Sequence, residues 1–407
     1  MLLIINKIKN ADVYLLPLAI FFILISSAGT NLFVLLAVLF SLIHCIYKKN
    51  YQILFEKNIF KLCFLIYFLF LISSLYSISG LEEIIGSLKK YIKFLYIPFI
   101  YYLIKIHKNE NLIINFFIFG STIILFLSYL KFFNVFNFDD FYEFLRNVNL
   151  ANPKDKIIIS KTSVFQNYIV HGIVLSFYSF LCFFLARKNN SLLYYLLSLL
   201  SFINVLFLND SRTGYIIILS LSIFSFFHLI SNNKIRIFIF VIFSSIFFTQ
   251  FSDNLENRVG ALSSDIYFIE KNNYNTSLGY RYIWTKVGID NITKKPLFGF
   301  GAGSYEKTSV RYYKDNNITD YESYITNNPH NEFISISTQI GLVGLSLFFI
   351  FLYILLKDSN FQTVPLGIFI TVFVSSLFNS AFYDNMLGLF LIIIISLLYQ
   401  NNFKIKN

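Results

Sequence analysis

Apolar residues run along this chain in long blocks separated by short polar clusters, the pattern of segments that cross a bilayer. Blocks able to traverse roughly 30 Å of hydrocarbon fall at 13–28, 31–47, 59–77, 91–106, 111–131, 165–186, 191–208, 213–230, 235–251, 331–356, 361–380 and 385–400. They predict an all-α, polytopic membrane protein of about 12 transmembrane helices. The first two blocks and the fourth are short for a full crossing, so their ends are the least sharply drawn. An even count puts both termini on one side. Between the third and fourth blocks, Leu81, Ile84, Ile85, Leu88 and Ile92 recur at helical spacing among Glu82, Glu83, Lys89, Lys90 and Lys93. This predicts an interfacial amphipathic helix over 81–93, either a plain anchor or a source of ammonium groups for a lipid phosphate. The chain thus reads as a single membrane domain, 1–407, with an outer loop at 132–164 and a large loop at 252–330, long enough to fold as a cap of short helices.

Composition agrees with that reading. Hydrophobic residues make up 56% of the 407 positions and charged residues 14%, with 51 Phe and 28 Tyr, more apolar matter than one soluble core needs. A net charge of +11 in a soluble chain would suggest nucleic acid, but here its placement changes its meaning. Lys48, Lys49, Lys57, Lys61, Lys105, Lys108, Arg187, Lys188, Lys234, Arg236, Lys357, Lys404 and Lys406 all fall on the side of the termini, whereas the turns at 29–30 and 381–384 hold no Lys or Arg. The positive-inside bias makes the terminal side cytoplasmic and puts both long loops on the extracytoplasmic face. Lys7 and Lys9 precede the first block without a small-residue cleavage site after it, so that block reads as a retained helix. Cys45, Cys63 and Cys182 have neither CxxC nor partner spacing, and predict no disulfide and no metal site.

Chemistry on the outer face has few candidates. Of five histidines, His44, His107 and His228 fall at cytoplasmic ends, leaving His171 and His330. His171 lies inside a span and reads as a packed histidine bonded to a neighbouring helix. His330 closes the outer loop in Asn327-Asn328-Pro329-His330-Asn331-Glu332, a turn-forming run that would hold an imidazole at the membrane surface, where its titration range suits proton transfer. The same run also reads as a helix cap with a solvated histidine. Arg212, in Asn209-Asp210-Ser211-Arg212-Thr213-Gly214, opens a span so close to hydrocarbon that its guanidinium calls for a partner: Asp210, a lipid headgroup or a diphosphate. Arg281 sits beside the chain's one tryptophan in Gly279-Tyr280-Arg281-Tyr282-Ile283-Trp284, on a predicted cap helix, where interfacial snorkelling is the plainer role. The glycines of Pro296-Leu297-Phe298-Gly299-Phe300-Gly301-Ala302-Gly303-Ser304 lack the strand, helix and lysine of a nucleotide site, so no nucleotide is expected; a simple turn or a phosphate contact through backbone N–H groups remains.

The order of these pieces resembles the O-antigen ligase and polymerase superfamily of bacterial membrane glycosyltransferases: Ser211-Arg212-Thr213-Gly214, then Arg281 and Trp284, then Pro296 to Gly303, then His330-Asn331 with Gly341 and Gly344 in the following helix. The resemblance covers roughly 200–345 by motif and the whole chain by its pattern of spans of about 20 residues. It implies a helical fold like that of GT-C-type glycosyltransferases, an undecaprenyl-diphosphate-linked glycan as donor, the lipid A core as acceptor, and inverting transfer without metal or other cofactor. Arg212 and Arg281 would then hold the donor diphosphate and His330 would activate the acceptor hydroxyl. Asn331, within the matched His-Asn pair, and Lys89, Lys90, Lys93 and Arg311, which have no motif match, are the supporting candidates. The polymerase and a protein O-oligosaccharyltransferase of the same superfamily share this chemistry. A lipid-linked sugar transporter would hold arginines near a diphosphate too, but the internal repeats and broken midplane helices expected of one do not stand out.

Overall fold

The protein is described here by a computed structural model covering residues 12–135, 162–229, 264–271 and 273–400. The expected span at 235–251, most of the 132–164 loop, the first part of the 252–330 loop, the side chain of His228, and Lys7, Lys9, Lys234, Arg236, Lys404 and Lys406 lie outside the described residues. A turn of 3-10 helix, Asp12–Tyr14, leads into α1 (Leu15–Phe21), α2 (Ser27–Lys48), α3 (Asn58–Ser74), α4 (Leu81–Tyr91), α5 (Lys93–His107), α6 (Glu110–Phe132) and α7 (Tyr168–Asn189). There follow α8 (Leu192–Ile203), running on through a π turn at Asn204–Leu208, then α9 (Arg212–Leu229), α10 (Ser277–Lys294), α11 (Tyr305–Asp315), α12 (Glu332–Asp358), α13 (Thr363–Phe378) and α14 (Asn385–Leu398). Among the described residues there is no strand.

Burial shows what surrounds the bundle. Along α2, Leu32, Leu35, Leu39, Leu42, Ile43 and Ile46 share a face that the protein leaves uncovered, and α8 does the same with Leu192, Leu193, Leu196, Leu199 and Leu200. Each such side chain would lose about 1.5–3 kcal/mol by facing water instead of an apolar medium, so these faces belong against hydrocarbon. By contrast α14 is buried from Met386 to Leu398, as befits a helix apolar all round. Among the described residues four helices, α2, α6, α7 and α12, are long and apolar enough to cross a membrane. The apolar stretches Asp12–Leu24, Asn58–Ser74, Leu192–Leu208, Arg212–Phe227, Thr363–Phe378 and Asn385–Leu398 are shorter than that, and the block at 91–106 forms α5.

Without a hydrophobic drive between helices in lipid, close packing needs small residues and side-chain hydrogen bonds. Gly172 on α7 and Gly214 on α9 meet so closely that a Cβ on Gly214 would lie 3.0 Å from the Gly172 Cα. Ser176 donates to the Gly214 carbonyl at 3.1 Å, and Ser201 on α8 donates to Leu175 on α7 at 2.9 Å. His171, buried in this packing, lies 3.3 Å from Asn204 Oδ1 on the π turn, the packed role its position in a span suggested.

The predicted amphipathic helix departs from expectation at its end. It stops at Tyr91, and Lys93 opens α5 instead of continuing the polar face. Ile84, Ser87 and Tyr91 turn inward, Tyr91 sharing a 2.7 Å hydrogen bond with Ser335 of α12, while Leu81 and Ile85 are exposed. α12 itself is bent: Ile340 and Gly341 leave helical geometry, Gly341 at φ +65°. The segment Pro296–Ser304 fills that bend. Leu342 and Val343 donate to the Pro296 and Leu297 carbonyls at 2.7 and 3.3 Å. In return, Phe300 and Gly301 donate to Thr338 and Gln339 at 2.8 and 3.0 Å, and Gly303 donates to the Gln339 side chain at 2.8 Å.

Candidate functional site

The Ser-Arg-Thr-Gly run at the head of α9 resolves into four separate duties. Ser211 caps the helix, its Oγ accepting from Gly214 N at 2.9 Å. Thr213 is buried and accepts from Asn379 Nδ2 at 3.2 Å. Gly214 permits the contact with Gly172 described above. Arg212 alone faces outward, exposed, and its guanidinium makes no hydrogen bond or ion pair among the described residues; the pairing with Asp210 considered from the sequence does not form there.

The turn before α12 divides its work in the same way. Pro329 is buried, Asn328 Oδ1 accepts from His330 N at 2.9 Å, and His330 takes a left-handed φ of 52°. Asn331 is the N-cap of α12, accepting from Ile334 N at 3.0 Å and donating to the Leu377 carbonyl at 2.9 Å. Its role is therefore to fix the turn. Glu332 is fully buried and accepts from Phe382 N at 2.7 Å. The His330 ring, half-buried, lies 5.3 Å centroid to centroid from Trp284 and makes no hydrogen bond through its nitrogens among the described residues.

Arg281 reaches the same place from α10. Thr276 caps α10, accepting from Gly279 N at 3.0 Å, and Ile283 and Val287 bury the helix against the rest of the cap. Trp284 is held by its Nε1–H donating to the Tyr324 carbonyl at 2.9 Å, and its own carbonyl accepts from the Tyr305 hydroxyl at 2.8 Å. Arg281 is left half-buried one turn before Trp284.

Electrostatics join the three groups. Burial disfavours the charged form of Arg281, the nearby Arg212 adds to that effect, and Tyr168 at the head of α7 opposes it. His330 is held below the ordinary histidine value by burial and then by Arg281, against a smaller upward pull from Asp384. Two cations and a neutral imidazole thus converge, with no side-chain hydrogen bond or ion pair among the described residues, where an anion would relieve the repulsion and an acceptor hydroxyl could meet a free base.

The supporting candidates fare differently. Lys93 is buried, its ammonium donating to the carbonyls of Phe382 and Asp384 at 2.8 and 2.7 Å, so it is spent inside the protein and does not meet a lipid phosphate. Lys90 stands 5.4 Å from the Tyr383 ring centroid, beside the same turn, and Lys89 is exposed. Arg311 is engaged within the protein: it pairs with Asp290 of α10 at 3.7 Å and lies 4.5 Å from the Phe300 ring centroid. The three glycines spend their N–H groups inside the protein, Gly299 on Lys295 and Gly301 and Gly303 on Gln339, which favours the turn reading over the phosphate one. Asp384, which acts on His330, escaped sequence reasoning; its one signal was a carboxylate in a short turn between apolar blocks. Among the described residues, the grouping with metal-ligand spacing is Asp12, His44 and His107, at the far end of α5 from Lys93.

Comparison with known proteins bears on this site. A family model described as O-Antigen ligase matches residues 174–349, a stretch that includes Arg212, Arg281 and His330. An uncharacterized protein of Haemophilus influenzae is 26% identical over 168 residues, covering 40% of this chain and 42% of that protein. Proteins of Rickettsia typhi and Rickettsia bellii, both provisionally named polysaccharide ligase, are 32% and 31% identical, each over 23% of this chain and 24% of their own length. The matched region thus spans less than half the length of these curated relatives. The resemblance read from the ordered motifs is borne out: over residues 174–349 the chain matches the O-antigen ligase family.

Proposed function

We propose that the protein is an O-antigen ligase, a membrane glycosyltransferase that moves a glycan from undecaprenyl diphosphate to the lipid A core of lipopolysaccharide. In this reading the chain crosses the bacterial inner membrane about 12 times in a GT-C-like arrangement. Both termini are cytoplasmic, the site faces the periplasm, and the 252–330 loop serves as its cap. The observation that carries the proposal is the convergence of Arg212, Arg281 and His330, unpartnered among the described residues while the side chains around them are committed to holding the backbone.

His330 takes the proton of an acceptor hydroxyl as that oxygen bonds to the anomeric carbon from the face opposite the leaving group. The bond from that carbon to the diphosphate oxygen breaks, its electron pair stays with the lipid diphosphate, and the configuration inverts. Arg212 and Arg281 neutralise the charge that develops on the leaving group, the work a metal would otherwise do. A polymerase or a protein O-oligosaccharyltransferase would use the same three groups and differ in the acceptor.

The test deletes the gene and restores either wild type or His330→Ala, reading lipopolysaccharide on gels beside the lipid-linked glycan pool. Ligase action predicts polymer lost from the core and accumulated on its carrier, with His330→Ala inserted in the membrane but unable to restore transfer. A core bearing one repeat unit would instead identify the polymerase. An unchanged profile would exclude lipopolysaccharide assembly and leave protein glycosylation or transport.

A further inference from the structure

The N-terminal turn brings an acid and two imidazoles together at the other end of α5 from the glycan site. Asp12 Oδ2 lies 3.4 Å from His44 Nε2, on the last turns of α2, and 3.1 Å from His107 Nε2, the final residue of α5. With 15 residues in α5, the cluster lies about 22 Å along that helix from Lys93 and the turn it holds. Asp12 is 1% exposed, and among the described residues neither of its carboxylate oxygens forms a hydrogen bond, nor does His107 Nε2. The atoms are close enough to bond but are not aimed for it.

A buried carboxylate without hydrogen bonds is costly, and the ordinary remedies are a paired charge or a metal ion. The spacing favours the metal. In a tetrahedral site with bonds of about 2.0–2.1 Å, adjacent ligand atoms stand about 3.3 Å apart. Both Asp12-to-imidazole separations match that edge, and all the ligand atoms lie within 4.8 Å of one another. Two helix C-termini, those of α2 and α5, end here and add partial negative charge. Imidazole and carboxylate ligands suit a borderline divalent transition metal over calcium or magnesium.

We infer that Asp12, His44 and His107 form a binding site for a divalent transition metal, Zn²⁺ by class, with a fourth position for water, clipping the turn before α1 to the ends of α2 and α5. The Asn109 side chain already ties the same turn, donating to the Val13 carbonyl at 2.6 Å. The ion takes no part in glycan transfer, so the inference stands apart from the proposed function.

The test uses full-length protein purified in detergent, stripped with chelator and reloaded with Co²⁺ alone or Zn²⁺ alone. Expected are one equivalent of tightly held metal, the visible ligand-field bands of four-coordinate Co²⁺, and a higher melting temperature with Zn²⁺. Loss of an outer-shell partner alone costs a metal site about 10–100-fold in affinity, so Asp12→Asn and His107→Gln should each weaken binding by at least about 100-fold, while His330→Ala binds as wild type. Featureless Co²⁺ spectra or no retained metal in the wild type would overturn the inference without reference to any variant. So would retention in His107→Gln together with loss in His330→Ala.

Discussion

Lys93 and Glu332 hold one short turn by opposite charge. The Lys93 ammonium donates to the carbonyls of Phe382 and Asp384, and the Glu332 carboxylate accepts from the amide of Phe382. The turn so fixed carries Asp384, which also caps α14 and acts on His330.

Replacing Lys93 by Met keeps the volume and removes the donor. Two inward-facing carbonyls lose their partner, at about 1–3 kcal/mol for each buried group left unsatisfied. Thermal unfolding in detergent should show a clear loss of stability, accompanied by reduced transfer as Asp384 loosens. Wild-type stability in Lys93→Met would show that the turn does not depend on this ammonium.

The pH dependence follows from the neighbours of His330. Burial and the Arg281 charge disfavour the imidazolium, so the ring stays neutral below its ordinary value of about 6.5, and the acidic limb of kcat/KM should have its midpoint under that value. Arg281→Gln removes a like charge, eases protonation and moves the limb to higher pH. Asp384→Asn removes an attraction and moves it lower. A limb unaffected by either change would mean that His330 is not the group titrating.

Arg212→Lys tests the guanidinium itself. Because Ser211, Thr213 and Gly214 carry the local structure, the exchange should leave stability within about 0.5 kcal/mol while slowing transfer by about 10²-fold or more. Gly214→Ala should do the reverse, pressing a methyl onto Gly172 and costing stability first. Calorimetry and single-turnover transfer separate the two.

Gly341→Ala should be among the most damaging of small substitutions. At φ +65°, a Cβ would lie 2.2 Å from the Leu297 carbonyl oxygen, a backbone atom that cannot swing aside. Membrane-extracted protein should unfold at lower temperature and expose the cap to protease; unaltered digestion would mean the bend tolerates relaxation.

Much of the helical layout was legible because long apolar blocks have few other fates, and the order of Arg212, Arg281 and His330 with respect to the spans put them on one face by counting alone. What stayed hidden depends on contacts between distant segments. Lys93 continues a convincing amphipathic pattern, and only the turn at 380–384 reveals why it is buried. Gly341 reads as a small residue for helix packing until Pro296–Ser304 occupies the bend beside it. Asp12, His44 and His107 are too far apart in sequence for a ligand motif, and the two histidines stand at the ends of apolar blocks, where a lone histidine signals little.

The bend in α12 also constrains how the protein is made. The amides of Leu342 and Val343 find their carbonyls in Pro296 and Leu297, on a segment that reaches its place with the cap. Until the cap has folded, a freshly inserted α12 carries two unsatisfied donors at a broken point in its backbone, an unfavourable state in a medium without water. The broken point of this helix is therefore satisfied only once the segment from Pro296 to Ser304 is in place, which couples the completion of α12 to the folding of a stretch some forty residues earlier in the chain.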